Sequence, residues 1–277
     1  MYDKNPYNDG EGKRILRKSF CLYFDILGFR KSVINSDINK DYSFFERYID
    51  ILTKELDTIK DFNNLGERYK DSLYVKVFTD NFVIGYPWYD EGEAELSTLV
   101  SLISHIQYSF ITNDLFIRGA ISLGDLHMDD NIVLGKALIE AYDLESKDAH
   151  YPRIILSKDV ISAVDKYIGY YSDQQQSPQN HYFLLDKDNH YFINYLEIGQ
   201  LDRNDGSKFV DFIIKHRDAI IRNAKFNITD YNILQKYIWI AEYHNFFVDS
   251  NFYENAEGVS DLKIDLSSIS LGIRTIK

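Results

Sequence analysis

Two short stretches, residues 20–29 and 75–86, constrain this chain most strongly. The first is an apolar run that ends on Asp25 and turns at Gly28. The second consists of two apolar segments joined by an Asp80-Asn81 turn. Apolar runs bounded by turn residues are typical of buried strands. The pattern therefore predicts two aspartates at strand ends, where two carboxylates side by side would hold divalent cations.

Composition narrows the kinds of partner that this chain can bind. With 277 residues, 45% of them hydrophobic, the chain can bury a sizeable core. Its net charge of −12 argues against binding to a nucleic-acid duplex, which needs a basic surface. An acidic protein can still bind a nucleotide when metal ions neutralise the phosphates.

The sequence carries no sign of a disulfide or of a membrane segment. Cys21 is the only cysteine and lies inside an apolar run, so we expect a buried small hydrophobic side chain. The first 12 residues are polar and lack an apolar signal core. No run approaches the roughly 20 apolar residues of a membrane helix. These features predict a soluble, cytoplasmic protein.

The spacing of apolar residues predicts an alternation of strands and helices. Strands are expected at residues 19–29, 73–78, 82–86, 115–123 (stopped by Gly124-Asp125), 153–156, 182–185 and 191–196. Helices are expected at residues 41–60, 93–111, 133–146 (entered through Gly135), a short one after a Ser157 cap, 207–224 and 229–247, with a loop at 172–180. The first six elements follow a βαββαβ order. That order predicts an α+β fold with a ferredoxin-like antiparallel sheet and helices on one face.

Two carboxylates on adjacent strands suit one chemical problem in particular. When a 3′-hydroxyl attacks an α-phosphate and pyrophosphate leaves, one metal ion lowers the pKa of the hydroxyl and a second neutralises the leaving phosphates. Backbone amides after the first strand can cradle the triphosphate.

The motifs occur in an order that resembles the class III nucleotidyl cyclases. Residues 25–29 (Asp-Ile-Leu-Gly-Phe) resemble the first metal motif of that family, and residues 76–80 (Lys-Val-Phe-Thr-Asp) resemble the second. Residues 118–125 are similar to the strand that follows the next helix, and residues 135–145 match the spacing of the dimer-facing helix. The resemblance covers about half of the chain. It implies two Mn²⁺ or Mg²⁺ ions per site and a head-to-tail homodimer with active sites at the interface.

The dimer-facing helix also departs from the family. The family's Asn and Arg, which stabilise the transition state in the partner's site, fall on Ile139 and Asp143, which cannot do that work. The helix and the following Tyr151-Pro152-Arg153-Ile154 look like the pyrimidine cyclases of bacterial anti-phage (Pycsar) defence, as does the helical C-terminal part with Trp239 and Tyr243-His244-Asn245. That resemblance implies conversion of UTP or CTP to a 3′,5′-cyclic nucleotide that activates a separate effector.

The resemblance assigns roles to individual residues. It implies metal binding by Asp25, Asp80 and the Ile26 carbonyl, contact of the phosphates with Ile26, Leu27, Gly28 and Phe29, base reading by Lys76, and phosphate or transition-state cations at Arg118 and Arg153. Each residue also has a plainer interpretation, since strand-end aspartates cap turns and strand-edge basic residues are mostly solvated. The two aspartates taken together favour metal binding.

The resemblance also implies an order of domains and leaves alternatives open. We expect a flexible lead-in at residues 1–17, a nucleotidyl cyclase domain at 18–200 and a helical extension packed on the core at 201–277. The favoured function is a uridylate cyclase. A catalytically silent cyclase-homology module and an adenylyl cyclase remain as alternatives.

Overall fold

The computed structural model describes residues 5–30, 33, 43–64, 73–202, 205–252 and 258–269. It shows a mixed α+β fold built on an eight-stranded sheet. The strands are β1 (Arg17–Ile26), β2 (Tyr74–Phe78), β3 (Asn81–Pro87), β4 (Ile117–Met128), β5 (Val133–Leu134), β6 (Ile154–Leu156), β7 (Phe183–Leu185) and β8 (Tyr191–Ile193). The helices are α1 (Ser43–Asn64), α2 (Glu93–Thr112), α3 (Lys136–Lys147), α4 (Lys158–Ile168), α5 (Gln179–Tyr182), α6 (Gly206–Phe226), α7 (Tyr231–Asn251) and α8 (Val259–Leu262), with 3₁₀ turns at Gln174–Gln176, Tyr195–Asp202 and Leu266–Ser268. None of these described helices is long and apolar enough to cross a membrane.

Strand β1 lies inside the sheet, whose order is β2-β3-β1-β4-β6-β8-β7, with β5 paired to β4. Its neighbours β3 and β4 both run antiparallel to it, as the βαββαβ order predicts. The fold class is confirmed, but the whole sheet is mixed because β6 runs parallel to β4.

Both faces of β1 are buried. Cys21 and Tyr23 pack with Ala137 and Ala141 of α3, whereas Leu22, which points to the other face, is also fully buried. A strand covered on both sides explains the nearly continuous apolar run in its sequence.

Several predicted boundaries need correction. Strand β4 does not stop at Gly124-Asp125, because Gly124 still pairs with Ser19 and the ladder with β1 continues to Leu126. Residues 133–134 form β5 rather than the first turn of a helix, and α3 begins after Gly135, whose φ is 146°. Helical turns occupy most of the loop predicted at 172–180. The predicted Ser157 cap of α4 is confirmed, since its side chain accepts from the amide of Val160.

The described part of the predicted flexible lead-in is packed. Tyr7 is fully buried beside Cys21, and the Asn5 side chain donates to the carbonyl of Met128 at 2.9 Å. Residues near the start of the chain thus contribute to the α3 face of the sheet.

The chain divides into two compact units. The larger unit comprises Met1–Ile106 and Ile117–Tyr195, and the smaller unit comprises Gln107–Phe116 and Leu196–Lys277. The aspartates and all other residues implied in the site belong to the larger unit.

The smaller unit contains a buried pair of histidines. Nδ1 of His216 lies 2.9 Å from Nδ1 of His244, and Nε2 of His244 lies 2.8 Å from the carbonyl of Leu262. Since a carbonyl only accepts, Nε2 of His244 carries the proton and its Nδ1 accepts from His216. Burial lowers the pKa of His216, and it lowers the pKa of His244 to about 4, so both rings are neutral at pH 7.

We expect acid to destabilise the protein through this pair. Between pH 6.5 and about 4, His244 is protonated in the unfolded chain but stays neutral in the folded protein. The free energy of unfolding therefore has its full value above pH 6.5 and decreases as the pH falls below it. The shift corresponds to about 3 kcal/mol for His244. Urea unfolding at pH 7.5 and 5.0 measures the loss. His244→Gln retains a donor for Leu262 and removes one of the two buried rings, so it should make the pH dependence less steep, with His216 still contributing; an equally steep dependence would contradict the role of His244.

Candidate active site

The sheet brings Asp25 and Asp80 to the same end of neighbouring strands. Phe24 of β1 lies opposite Phe82 of β3, so Asp25 follows at the end of β1 beside the turn that joins β2 to β3. Asp80 stands in that turn, between Phe78 and Asn81. The predicted hairpin and the predicted strand-end aspartate are both present.

Asp25 is bound by Arg118 of the neighbouring strand. The two residues face each other in the β1–β4 register. Nε of Arg118 lies 3.0 Å from Oδ1 of Asp25, and Nη2 lies 3.0 Å from Oδ2. This is a two-pronged ion pair, the strongest geometry for an arginine and a carboxylate. Burial lowers the pKa of Arg118, but the hydrogen bond and charge of Asp25 outweigh it and the net shift is upward.

A third carboxylate, Glu145, lies against the same guanidinium. Its Oε1 is 2.7 Å from Nη2 of Arg118, and its side chain is 5% exposed. Burial, followed by the negative charge of Asp25, raises the pKa of Glu145, and the charge of Asp80 adds to this. Three carboxylates therefore influence one another here, with Arg118 as the cation between two of them.

Sequence reasoning missed Glu145, although the sequence held a signal. The buried face of α3 consists of Ala137, Ala141 and Glu145, spaced four residues apart. A glutamate in line with two small buried residues on a helix faces the protein interior. Such a residue is rarely buried without a partner of opposite charge.

Two tyrosines hold the turn that carries Asp80. The hydroxyl of Tyr48 donates to the carbonyl of Thr79 at 2.6 Å, and the hydroxyl of Tyr23 donates to Oδ1 of Asn81 at 2.5 Å. Thr79 has a φ of 53°, which is unusual for a β-branched residue, and its hydroxyl donates to Oδ1 of Asp80 at 2.8 Å. These contacts fix the turn, and neither tyrosine was predicted to belong to the site.

The segment after β1 forms the predicted glycine turn. Ile26 is the last residue of the strand, and Gly28 has a φ of 77°, in the region that favours glycine. Leu27 is half-buried, and the ring of Phe29 packs against Tyr48 at 4.8 Å. This segment adjoins the turn that carries Asp80, as phosphate binding would require.

Lys76 lies on β2, the strand at the edge of the sheet. It stands four residues before Asp80, as the resemblance requires, and its ammonium donates to the carbonyl of Asp130. The structure therefore gives Lys76 a hydrogen-bond acceptor in the protein itself.

Arg153 has partners of its own, apart from the aspartates. Its side chain is fully buried and forms ion pairs with Asp186 and Asp188, which lie between β7 and β8. The guanidinium also lies over the rings of Tyr151 and Phe192. In this structure Arg153, which was predicted to be a catalytic cation, is part of a structural ion pair.

Replacing Arg153 should therefore destabilise the protein strongly. Arg153→Met leaves two carboxylates facing a buried site without their cation, and we expect a loss of about 3–5 kcal/mol in the free energy of unfolding. Arg14→Met removes an arginine that is 63% exposed in its pair with Asp129, and should cost less than about 1 kcal/mol. Urea denaturation compares them. A stable but inactive Arg153→Met would contradict the structural role.

The donor set at the strand ends fits a hard divalent cation. Carboxylate and carbonyl oxygens are the ligands that Mg²⁺ and Mn²⁺ prefer. The buried Glu145 adds a third carboxylate at this end of the sheet, with Oε1 2.7 Å from Nη2 of Arg118. In the part of the chain that the structure describes, no three acidic, histidine or cysteine residues already converge as a metal site. Because Arg118 binds both oxygens of Asp25, we expect it to turn away from Asp25 when a cation binds.

Two apolar side chains of α3 are exposed, and one of them stands at a departure from the family pattern. Ile139 is 63% exposed and Tyr142 is 51% exposed. Asp143 is paired with Lys147 at 3.0 Å.

Comparison with known proteins gives remote structural similarities. The guanylyl cyclase Cya2 matches with 12% identity and a TM-score of 0.38, over 53% of this chain and 78% of that chain. A class III adenylyl cyclase-like ATP-binding protein from Pseudomonas aeruginosa matches with 16% identity and a TM-score of 0.36, over 56% of this chain and 37% of that chain. No protein-family model and no curated protein sequence matches the chain. Similarities this remote do not identify a substrate, so the chemistry is inferred from the residues of the site.

Proposed function

We propose that this chain is a nucleotidyl cyclase that converts UTP or CTP to the 3′,5′-cyclic nucleotide and pyrophosphate. The observation that carries the proposal is the position of Asp25 and Asp80 at one end of adjacent strands, beside a glycine turn and a partly buried arginine. This arrangement supplies carboxylates for cations and a positive charge for phosphates in one place.

The cations would be held by Asp25, Asp80 and the carbonyl of Ile26. When bound, two Mn²⁺ or Mg²⁺ ions lower the pKa of the 3′-hydroxyl and neutralise the leaving pyrophosphate. The turn of residues 27–29 offers backbone amides to the β- and γ-phosphates. Arg118, once turned from Asp25, supplies a planar donor for the charge that develops on the α-phosphate.

The choice of base rests on Lys76 and on the resemblance to Pycsar cyclases. The ammonium of Lys76 already donates to one carbonyl, that of Asp130. A uracil O4 and an adenine N1 are acceptors of the same kind, whereas N1 of guanine carries a proton. Between UTP and CTP, the resemblance to the Pycsar cyclases alone favours UTP, and the cyclic product would serve as a second messenger in defence against phage.

A homodimer is part of the proposal. The exposed Ile139 and Tyr142 on α3 are two apolar side chains that a second copy could cover. Because Ile139 and Asp143 cannot replace the family's Asn and Arg, the transition-state cation comes from another residue, and Arg118 is the candidate nearest to Asp25.

Two observations favour a catalytically silent module as the second candidate. Arg118 occupies both oxygens of Asp25, and the transition-state positions on α3 hold Ile139 and Asp143. Such a module would bind nucleotide and signal without turnover. Adenylyl cyclase activity is the third candidate, since Lys76 also suits adenine N1.

The proposal is tested by incubating the protein separately with UTP, CTP, ATP and GTP in the presence of Mn²⁺. Products are identified by liquid chromatography and mass spectrometry. We expect a cyclic pyrimidine nucleotide and an equal amount of pyrophosphate. A cyclic purine product would replace the proposal with a purine cyclase, and nucleotide binding without any product would support the silent module.

A further inference from the structure

We propose that Glu145 is a positioning residue that keeps Arg118 in the site when a cation takes Asp25 from it. The proposal rests on the proposed function, because it concerns the exchange of partners that we expect when a cation binds. Glu145 lies on α3, as do Ile139 and Asp143, the two positions that lack the family's Asn and Arg.

The contacts of Arg118 show an arginine shared between two carboxylates. Nε and Nη2 bind Asp25 at 3.0 Å each, and Nη2 also lies 2.7 Å from Oε1 of Glu145. Nη1 lies 3.4 Å from the carbonyl of Ala149, which follows the end of α3. The C-terminal end of a helix favours a cation, so the guanidinium has a second set of acceptors apart from Asp25.

Charge explains why the second set is needed. A divalent cation on Asp25 repels the guanidinium and takes away its two best hydrogen bonds. Arg118 is only 23% exposed, and a partly buried charge without a partner is costly. Glu145 and the Ala149 carbonyl allow Arg118 to leave Asp25 while it stays paired and within the site.

The burial of Glu145 supports this role. Its side chain is 5% exposed, in a line with Ala137 and Ala141 where an apolar residue would pack without cost. A buried carboxylate is retained at such a position only with a cationic partner. The cationic partner that the structure gives it is Arg118.

The exchange makes a prediction about binding of Mn²⁺ alone. In Glu145→Gln the guanidinium has no charged alternative to Asp25, so it competes more strongly with the cation. We expect Mn²⁺ affinity to fall about 10-fold to 100-fold, the range seen when a partner of a metal ligand is lost. Arg118→Met removes the competitor, so it should bind Mn²⁺ at least as tightly as the original protein.

The experiment is a double-mutant cycle read by electron paramagnetic resonance of free Mn²⁺, without nucleotide. It compares the original chain, Glu145→Gln, Arg118→Met and the double variant. Glu140→Gln removes the same charge from the same helix, and should leave the affinity within about twofold. Circular dichroism checks that each variant is folded. Glu145→Asp provides a second variant, because it shortens the side chain and so moves the carboxylate away from Arg118 while it keeps the charge.

Three outcomes decide the matter. The proposal is supported if Glu145→Gln weakens Mn²⁺ binding in the original chain but has no effect on it in the Arg118→Met background. Unchanged binding, or an equal loss in both backgrounds, would overturn it, because Glu145 would then be structural or would act on the cation directly; the cyclase proposal would survive. If the original chain binds no Mn²⁺, both proposals fall.

Discussion

Asp80→Asn should abolish nucleotide cyclisation while leaving the fold intact. Asp80 lies in the turn between β2 and β3, and an asparagine there can still accept hydrogen bonds from Thr79 and Asn81 through its Oδ1. The substitution therefore removes the negative charge and little else. We expect turnover to fall by about a thousandfold, the scale on which one electrostatic group in an active site acts. Cyclic nucleotide formation by the purified variant measures it.

Asp25→Asn should differ from Asp80→Asn in its effect on stability. It should abolish turnover equally, but it also breaks the two-pronged pair with Arg118 and should lower stability by about 1–3 kcal/mol. Asp211→Asn removes an exposed charge that is paired with Lys215 in the smaller unit and serves as the control. Activity retained in Asp80→Asn would refute the metal-binding role of the strand-end carboxylates.

Gly119→Ala should cause a large loss of stability through a single methyl group. A Cβ at this position would lie 2.3 Å from the carbonyl oxygen of Tyr23 and 2.5 Å from Cβ of Phe24. Those atoms belong to β1, so the clash can be relieved only by separating β1 from β4. We expect a loss of about 3 kcal/mol in the free energy of unfolding, together with lower activity, because the same pairing places Arg118 opposite Asp25.

Gly124→Ala is the matched control on the same strand. Its Cβ would meet α3 at 3.5 Å or more, which is an ordinary contact distance. The stability of this variant should stay within about 1 kcal/mol of the original chain. Equal stability of the two variants in urea would show that β1 and β4 are not as tightly apposed as described.

Local patterns predicted the part of the site that depends on strands and turns. The place of Asp25 near the end of β1, the glycine turn at Gly28 and the hairpin turn at Asp80 all follow from apolar runs interrupted by turn residues, although β1 ends at Ile26 rather than at the predicted residue 29. These features are determined within a few residues of sequence, so a pattern can report them.

The partners of the charged residues could not be predicted in the same way. Arg118 and Arg153 looked alike in the sequence, as arginines at strand ends. Only the register of β4 with β1 pairs Arg118 with Asp25, and only the β7–β8 hairpin pairs Arg153 with Asp186. Likewise, β4 continues past Gly124 because the start of β1 offers it a partner, which its own sequence does not reveal.

The central claim is that Asp25 and Asp80 meet around cations that face a nucleotide's phosphates. Its most direct test is a crystal structure of the protein with Mn²⁺ and 3′-deoxy-UTP, which cannot cyclise. We predict anomalous scattering peaks bound by oxygens of both aspartates, with the triphosphate beside them and Arg118 turned away from Asp25. A nucleotide bound elsewhere, with the pair of Asp25 and Arg118 intact and no manganese between the aspartates, would contradict the account.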